Sequence, residues 1–236
     1  MRQTALINRS GIAILAVAIL VAGCGSKPSS NTASSKTSTA TTTTATSTPA
    51  AQPKVAPRTA VPGPNPTIAD YIKQNGITET PVHRGDPGAP TIDLPIPDGW
   101  ADAGHDTPAD AYWAIVDTGP EAAAYTPSIV VTVFKLTGNV DQQKILDLAG
   151  GELKNLPEFR PMGDGSSTTL SDFPGYQIGG TWSDNGKSKA AAQKTVAVPA
   201  GDGINLLRLN ADCLEDQIDK AMPATITIDE KTKITA

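Results

Sequence analysis

Histidines, cysteines and clustered carboxylates are the residue types from which metal or hydrolytic chemistry is built, and this chain offers few of them. Its two histidines, His83 and His105, lie in polar stretches rich in glycine and proline. Neither has a second histidine or a cysteine at ligand spacing, as a zinc site requires. A histidine could still join a serine and an acid in a hydrolytic triad, yet the chain has no Gly-x-Ser-x-Gly elbow. Asp98, Asp102, Asp106 and Asp110 recur every four residues, a spacing that would align a cation site on a helix. Gly99, Gly104 and Pro108 break any such helix, so the segment reads as a solvated acidic loop. The runs from Gly163 to Ser167 and from Gly201 to Gly203 lack the repeated acids of a calcium loop and read as turns. Arg84-Gly85-Asp86 matches an adhesion tripeptide, a match too short to carry weight. No glycine-rich phosphate loop is present. The sequence therefore points to no catalytic residue, no metal ligand and no cofactor.

The two cysteines tell different stories. Cys24 follows Val21-Ala22-Gly23, and that triplet ends an uncharged run beginning at Gly11. Before the run, Arg2 and Arg9 stand without an acidic neighbour. A basic start, a short apolar stretch and small residues make up a secretory signal. The stretch is short for a membrane span, which takes about 20 apolar residues. Val21 to Cys24 resembles the bacterial lipobox, which implies cleavage before Cys24 and a diacylglyceryl group on its thiol. Two or more acyl chains give stable anchoring where one gives marginal binding. The chain is thus expected to be exported, with its signal in residues 1–23, and held to the outer face of the cell membrane through Cys24. A lipidated Cys24 leaves Cys213 without a partner, so it reads as a small buried apolar side chain.

Composition changes sharply after the cysteine. Residues 24–66 are dominated by Thr, Ser, Ala and Pro, and Tyr71 is the first aromatic residue of the chain. Such a segment cannot bury enough apolar surface to offset the entropy of ordering, so it reads as a disordered tether. As a coil, about 42 residues would span roughly 35 Å. Its Ser/Thr/Pro density also suits O-glycosylation. Six of the 19 Lys and Arg precede Asp70, the first acid, leaving 13 against 24 acids and a net charge of −11 from there on. That charge argues against nucleic-acid binding, which rests on neutralising phosphates.

Residues 67–236 carry the periodic patterns of one folded domain. Thr67 to Asp70 has the Ser/Thr-x-x-acid form of a helix start, with a helix over 68–75 and a stop at Gly76. Thr91 to Pro97 reads as an edge strand, because its prolines could not serve a central ladder. Residues 112–117 and 127–136 read as strands, the second apolar on both faces and hence central. A helix is predicted from about Asp141 to a stop at Gly150-Gly151. Asn185-Gly186 between two alternating runs predicts a type I′ hairpin. Residues 204–209 form a further strand, and Leu214, Ile218 and Met222 predict a helix over about 212–222. Residues 224–234 fit either a strand or a continued helix. The fold class is α+β, an antiparallel β-sheet flanked by helices.

Several segments together resemble one family. They include Thr67 to Ile72, Glu79 to His83, Gly85 to Gly88, Thr91 to Pro95, Pro97 to Trp100, Gly151 to Pro157, Asn185 to Lys187, Ala192 to Val196 and Leu209 to Ala211. In this order they are similar to the LpqN/LpqT family of mycobacterial lipoproteins, over nearly all of residues 67–236. The resemblance implies a PsbP/Mog1-like α/β/α fold and suggests helix for residues 224–230. It implies no enzymatic activity. It points to a role in the mycolate-bearing envelope, with lipid exporters or a small apolar ligand as partners. A cryptic hydrolase using His83 or His105, and a surface protein that binds host proteins, are the rival expectations. The oligomeric state is not readable from the sequence.

Overall fold

The computed structural model describes Val55 and residues 58–236. Cys24, the signal and most of the tether lie outside the described residues. Four α-helices and eleven strands follow in order. They are α1 (Ile68–Asn75), β1 (Thr78–Pro81), β2 (Thr91–Asp93), β3 (Trp100–Asp102), β4 (Trp113–Asp117) and β5 (Ser128–Thr137). Next come α2 (Gln142–Leu148), α3 (Gly151–Lys154), β6 (Arg160–Pro161), β7 (Ser166–Leu170), β8 (Phe173–Asp184) and β9 (Lys187–Ala200). The chain closes with β10 (Gly203–Leu214), α4 (Ile218–Lys231) and β11 (Lys233–Thr235).

Nine strands form one antiparallel sheet in the order β3-β4-β5-β10-β9-β8-β6. β1 extends the β4 edge of β5, and β7 lies beside β6 on β8. The apolar run of β5 is central, as its two-faced pattern requires. β8 to β10 are long strands joined by tight hairpins. Asn185 and Gly186 adopt the positive φ values of 51° and 79° that a two-residue type I′ turn demands. β2 pairs only with β11, so the proline-bounded strand does sit outside the main ladder.

Alternation along the strands supplies two apolar faces. On one, Val131, Val133, Val196, Leu207 and Leu209 pack with Ala224 and Ile228 of α4 and with Ile92 and Ile234 of the small sheet. On the other, Leu136 and Leu206 pack with Ile68 and Ile72 of α1 and with Ile145 and Leu148 of α2. The architecture is α+β, with helices on both sides of the sheet. At the start of α1, Thr67 Oγ1 accepts from the Asp70 amide (3.1 Å) while Asp70 Oδ2 accepts from the Thr67 amide (2.9 Å), a complete capping box.

Three expectations are corrected. The strand over 204–209 continues to Leu214, so residues 212–214 belong to β10 and not to a helix. The alternation Leu209, Ala211, Cys213 runs on unbroken, and the helical face that is buried is Ala221, Ala224 and Ile228, with Met222 exposed. Residues 224–231 are helical, past an internal Pro223. The helix from Asp141 does stop just short of Gly150, but Gly151 opens α3, and its missing Cβ lets it pass the Pro66 carbonyl. Finally, residues 58–66 do not share the free chain expected of the tether. Arg58 bonds to Asp212 and Asn65 to Asn155, polar contacts that a composition argument about apolar burial does not weigh.

Candidate functional site

A wide opening lies between the sheet and α4. It has a volume of about 440 Å³ and is walled by Ile129, Ala192, Leu209 and Ala211 from the strands and by Thr225 and Ile228 from the helix. The loop Met162–Ser166 closes one side. A second space of about 140 Å³ shares Met162, Gly179, Ala192, Ala211 and Thr225 with the first and adds Ala190, Cys213, Ile218 and Met222. Small residues make this groove. Gly179, Ala190, Ala192 and Ala211 line it, and their small side chains leave its volume open. Gly165 is needed in the loop, because its φ is 77° and a Cβ would collide with the Tyr176 hydroxyl.

One ion pair crosses the cavity wall. Lys194 projects from the middle of β9, and its Nζ lies 2.7 Å from Asp229 Oδ2 on α4. The Lys194 side chain is 9% exposed and that of Asp229 is 39% exposed. The cavity thus combines apolar strand and helix positions with several polar groups, Asp164, Ser166, Gln177 and Gln193 beside this ion pair, and its volume falls in the range of small-molecule sites. Met162 and Met222 beside the groove, and Ile226 one helical turn beyond Met222, are exposed large apolar side chains. Cys213 is buried in the floor, and burial pushes its thiol up to about 12, which removes it as a nucleophile.

A further groove of about 240 Å³ lies on the opposite face of the sheet, beneath Thr59 and Ala60. Its lining includes Arg58, Glu152, Arg208, Asn210 and Asp212. The Arg58 guanidinium reaches Asp212 Oδ2 at 2.6 Å, Asn210 Oδ1 at 2.9 Å and the Ala211 carbonyl at 3.2 Å. Burial raises the Asp212 carboxyl above its ordinary range, and Arg58 opposes that rise.

The residues singled out by their chemistry are not brought together. His105 is almost wholly exposed, and its only carboxylate neighbour is Asp106 at 3.5 Å. The His83 ring nitrogens lie 3.1 Å from the Ala109 carbonyl and 3.4 Å from Asp86, all at the surface. Asp102 is spent locally: its oxygens accept from the Gly104 amide and from Trp113 Nε1, both at 2.7 Å, which lowers its carboxyl below the usual range. Among the described residues, no three His, Cys, Asp or Glu side chains converge as metal ligands would. Within the Arg84 tripeptide, Arg84 stacks 5.8 Å from the Trp113 ring centroid and Asp86 accepts from the His83 amide. No described helix is long and apolar enough to cross a membrane.

Sequence reading passed over Lys194 and the cavity. One signal was available: Lys194 is the single charge between Ala190 and Val198, a stretch otherwise apolar or neutral. A lone lysine at the centre of a buried strand calls for a partner from another element.

Comparison with known proteins gives a consistent picture. Residues 64–235 match the family model described as "Probable lipoprotein LpqN". Lipoprotein LpqN of Mycobacterium tuberculosis is 51% identical over 173 residues, which cover 73% of this chain and 75% of that one. A proline-rich 28 kDa antigen homolog of Mycobacterium leprae is 25% identical over 173 residues, covering 73% of this chain and 62% of that protein. The crystal structure of M. tuberculosis LpqN, described as involved in cell envelope biogenesis, superposes with a TM-score of 0.70 at 51% identity. It covers 74% of this chain and all of that one.

Proposed function

The chain belongs to the LpqN lipoprotein family, and on that premise we propose that it is a non-enzymatic, lipid-anchored accessory of cell-envelope biogenesis that shelters an apolar ligand. The observation that carries this reading is the cavity of about 440 Å³ between α4 and the sheet. A filled interface there would have left only docking to explain the domain. An opening floored by glycine and alanine gives it space for a hydrocarbon chain instead. Apolar transfer of about 25 cal/mol per Å² supplies the affinity, and the polar groups at the wall orient the ligand.

Anchoring through Cys24 on the exported face keeps such a carrier near its lipid source. The exposed Met162 and Met222 border the groove, and their unbranched side chains let one opening adapt to different guests. The same apolar border is what docking to envelope lipid exporters would use.

The test is native mass spectrometry of the protein purified from its own host, beside an Ala192→Leu variant. Ala192 lines both parts of the groove, and a larger side chain there takes up ligand volume. The expected result is lipid-mass adducts on the natural chain and their loss from the variant, with the fold intact by circular dichroism. Bare protein in both samples would remove the carrier reading.

A further inference from the structure

The residues just ahead of α1 form a bridge. Arg58 fixes one end through its three bonds to β10. Asn65 fixes the other: its amide donates to Asn155 Oδ1 at 3.0 Å, and Asn155 Nδ2 donates back to the Asn65 carbonyl at 2.9 Å. Gly63 passes so close to Asn155 that a Cβ would overlap it. Between these ends Val61 packs partly buried against the cluster of Leu153 and Leu156, while Thr59 and Ala60 span the groove of about 240 Å³. The segment is thus pinned at both ends above unfilled space, and Val55 just ahead of it is buried among Ala103, Ala111 and Ala114. Asp212 is buried with one oxygen taken by Arg58, and its Oδ1 has no hydrogen-bond partner among the described residues. A buried carboxylate with an open lone pair is an incomplete site, and the strap is what currently covers it.

We propose that residues 58–66 are a releasable strap, locked by Arg58 on Asp212, whose opening uncovers this groove. Segments with few buried apolar contacts open well below the cost of global unfolding. A charge-assisted bond at one end, a neutral amide pair at the other and only the partly buried Val61 between them make a clasp of that kind.

The experiment is limited trypsin digestion of the full chain, following cleavage at Arg58–Thr59 by mass spectrometry. Asp212→Asn keeps the shape of the acceptor but removes its charge, and the cut is expected to accelerate about tenfold, the difference between a charged and a neutral hydrogen bond. Asn155→Ala, at the far end, is expected to accelerate it as well, because the strap lifts as one piece. In both variants β9 and β10 stay uncut on that timescale. Unchanged cleavage at Arg58, or cleavage there only in step with cuts inside β9 and β10, would overturn the proposal.

Discussion

Lys194 Nζ and Asp229 Oδ2 sit 2.7 Å apart, tying the centre of β9 to α4 along the wall of the cavity. The two partners are unequal. Lys194 is 9% exposed and Asp229 39%, so only the lysine depends on the pair for its solvation. Removing the buried charge should therefore cost less than removing the exposed one. Lys194→Met leaves Asp229 in contact with water and replaces a buried ammonium with a thioether of similar length, so stability is expected to stay within about 1 kcal/mol. Asp229→Asn leaves the ammonium buried beside Thr168 and a neutral amide, at a cost of about 1–3 kcal/mol. Urea denaturation of both variants checks the order. Equal losses would mean that water already reaches Lys194.

The hairpin at Asn185-Gly186 and the capping box at Thr67 could be read from the chain because local chemistry alone decides them. A type I′ turn needs two positive φ values, and a box needs a hydroxyl and an acid three residues apart. Other parts depend on distant partners. Ser166 to Leu170 form β7 although the run is polar and mostly exposed, because β8 offers it an edge. The turn joining them is Ser171-Asp172, both at positive φ without a glycine to announce it. β10 outlasts its expected end because β9 pairs with it as far as Leu214. The strap was invisible for the same reason: nothing in Arg58 reveals the carboxylate more than 150 residues away. The cavity shares this origin, since Gly179, Ala192 and Ala211 become a groove only when three strands and α4 meet.

Ile228 is 2% exposed on α4 yet lines the cavity, while Ile115 on β4 is fully enclosed. Truncation cost grows with the hole that is left. Around Ile228 the hole already exists on one side, so fewer contacts are lost. Ile115→Ala is expected to cost about 4–5 kcal/mol and Ile228→Ala nearer 2–3 kcal/mol, the two ends of the usual range. Thermal unfolding of both measures the gap. A reversed order would show that the space beside Ile228 is not open in solution.

Cys213 is buried against Ala190 and Ala221, and its thiol is pushed up to about 12 by burial, with Asp212 and Asp216 adding to the rise. At pH 8 almost none of it is thiolate, and the thiolate is the form that reacts. In a Cys24→Ser chain it is the one remaining thiol. Iodoacetamide is expected to leave it unmodified in buffer and to label it fully in denaturant. Labelling of the folded protein at the rate of a free thiol would show that the groove floor is open to solvent.

Asp212 carries two opposed influences, and its pH dependence shows which prevails. Burial raises the carboxyl, whereas Arg58 and Lys189 pull it down; burial is the larger effect, so the folded value stands above the unfolded one. A group raised on folding contributes stability that is complete below its unfolded value and is lost as the pH climbs through the folded one. Asp212→Asn cannot ionise and does not share that loss. The melting temperature of the variant relative to the natural chain should therefore rise as the pH climbs from 4, and level off once the folded value is passed. The absolute sign at any one pH also includes the weakened bond to Arg58, but the slope does not. A difference that falls over this interval would mean that Arg58 outweighs burial and that the carboxylate is the favoured form in the folded protein.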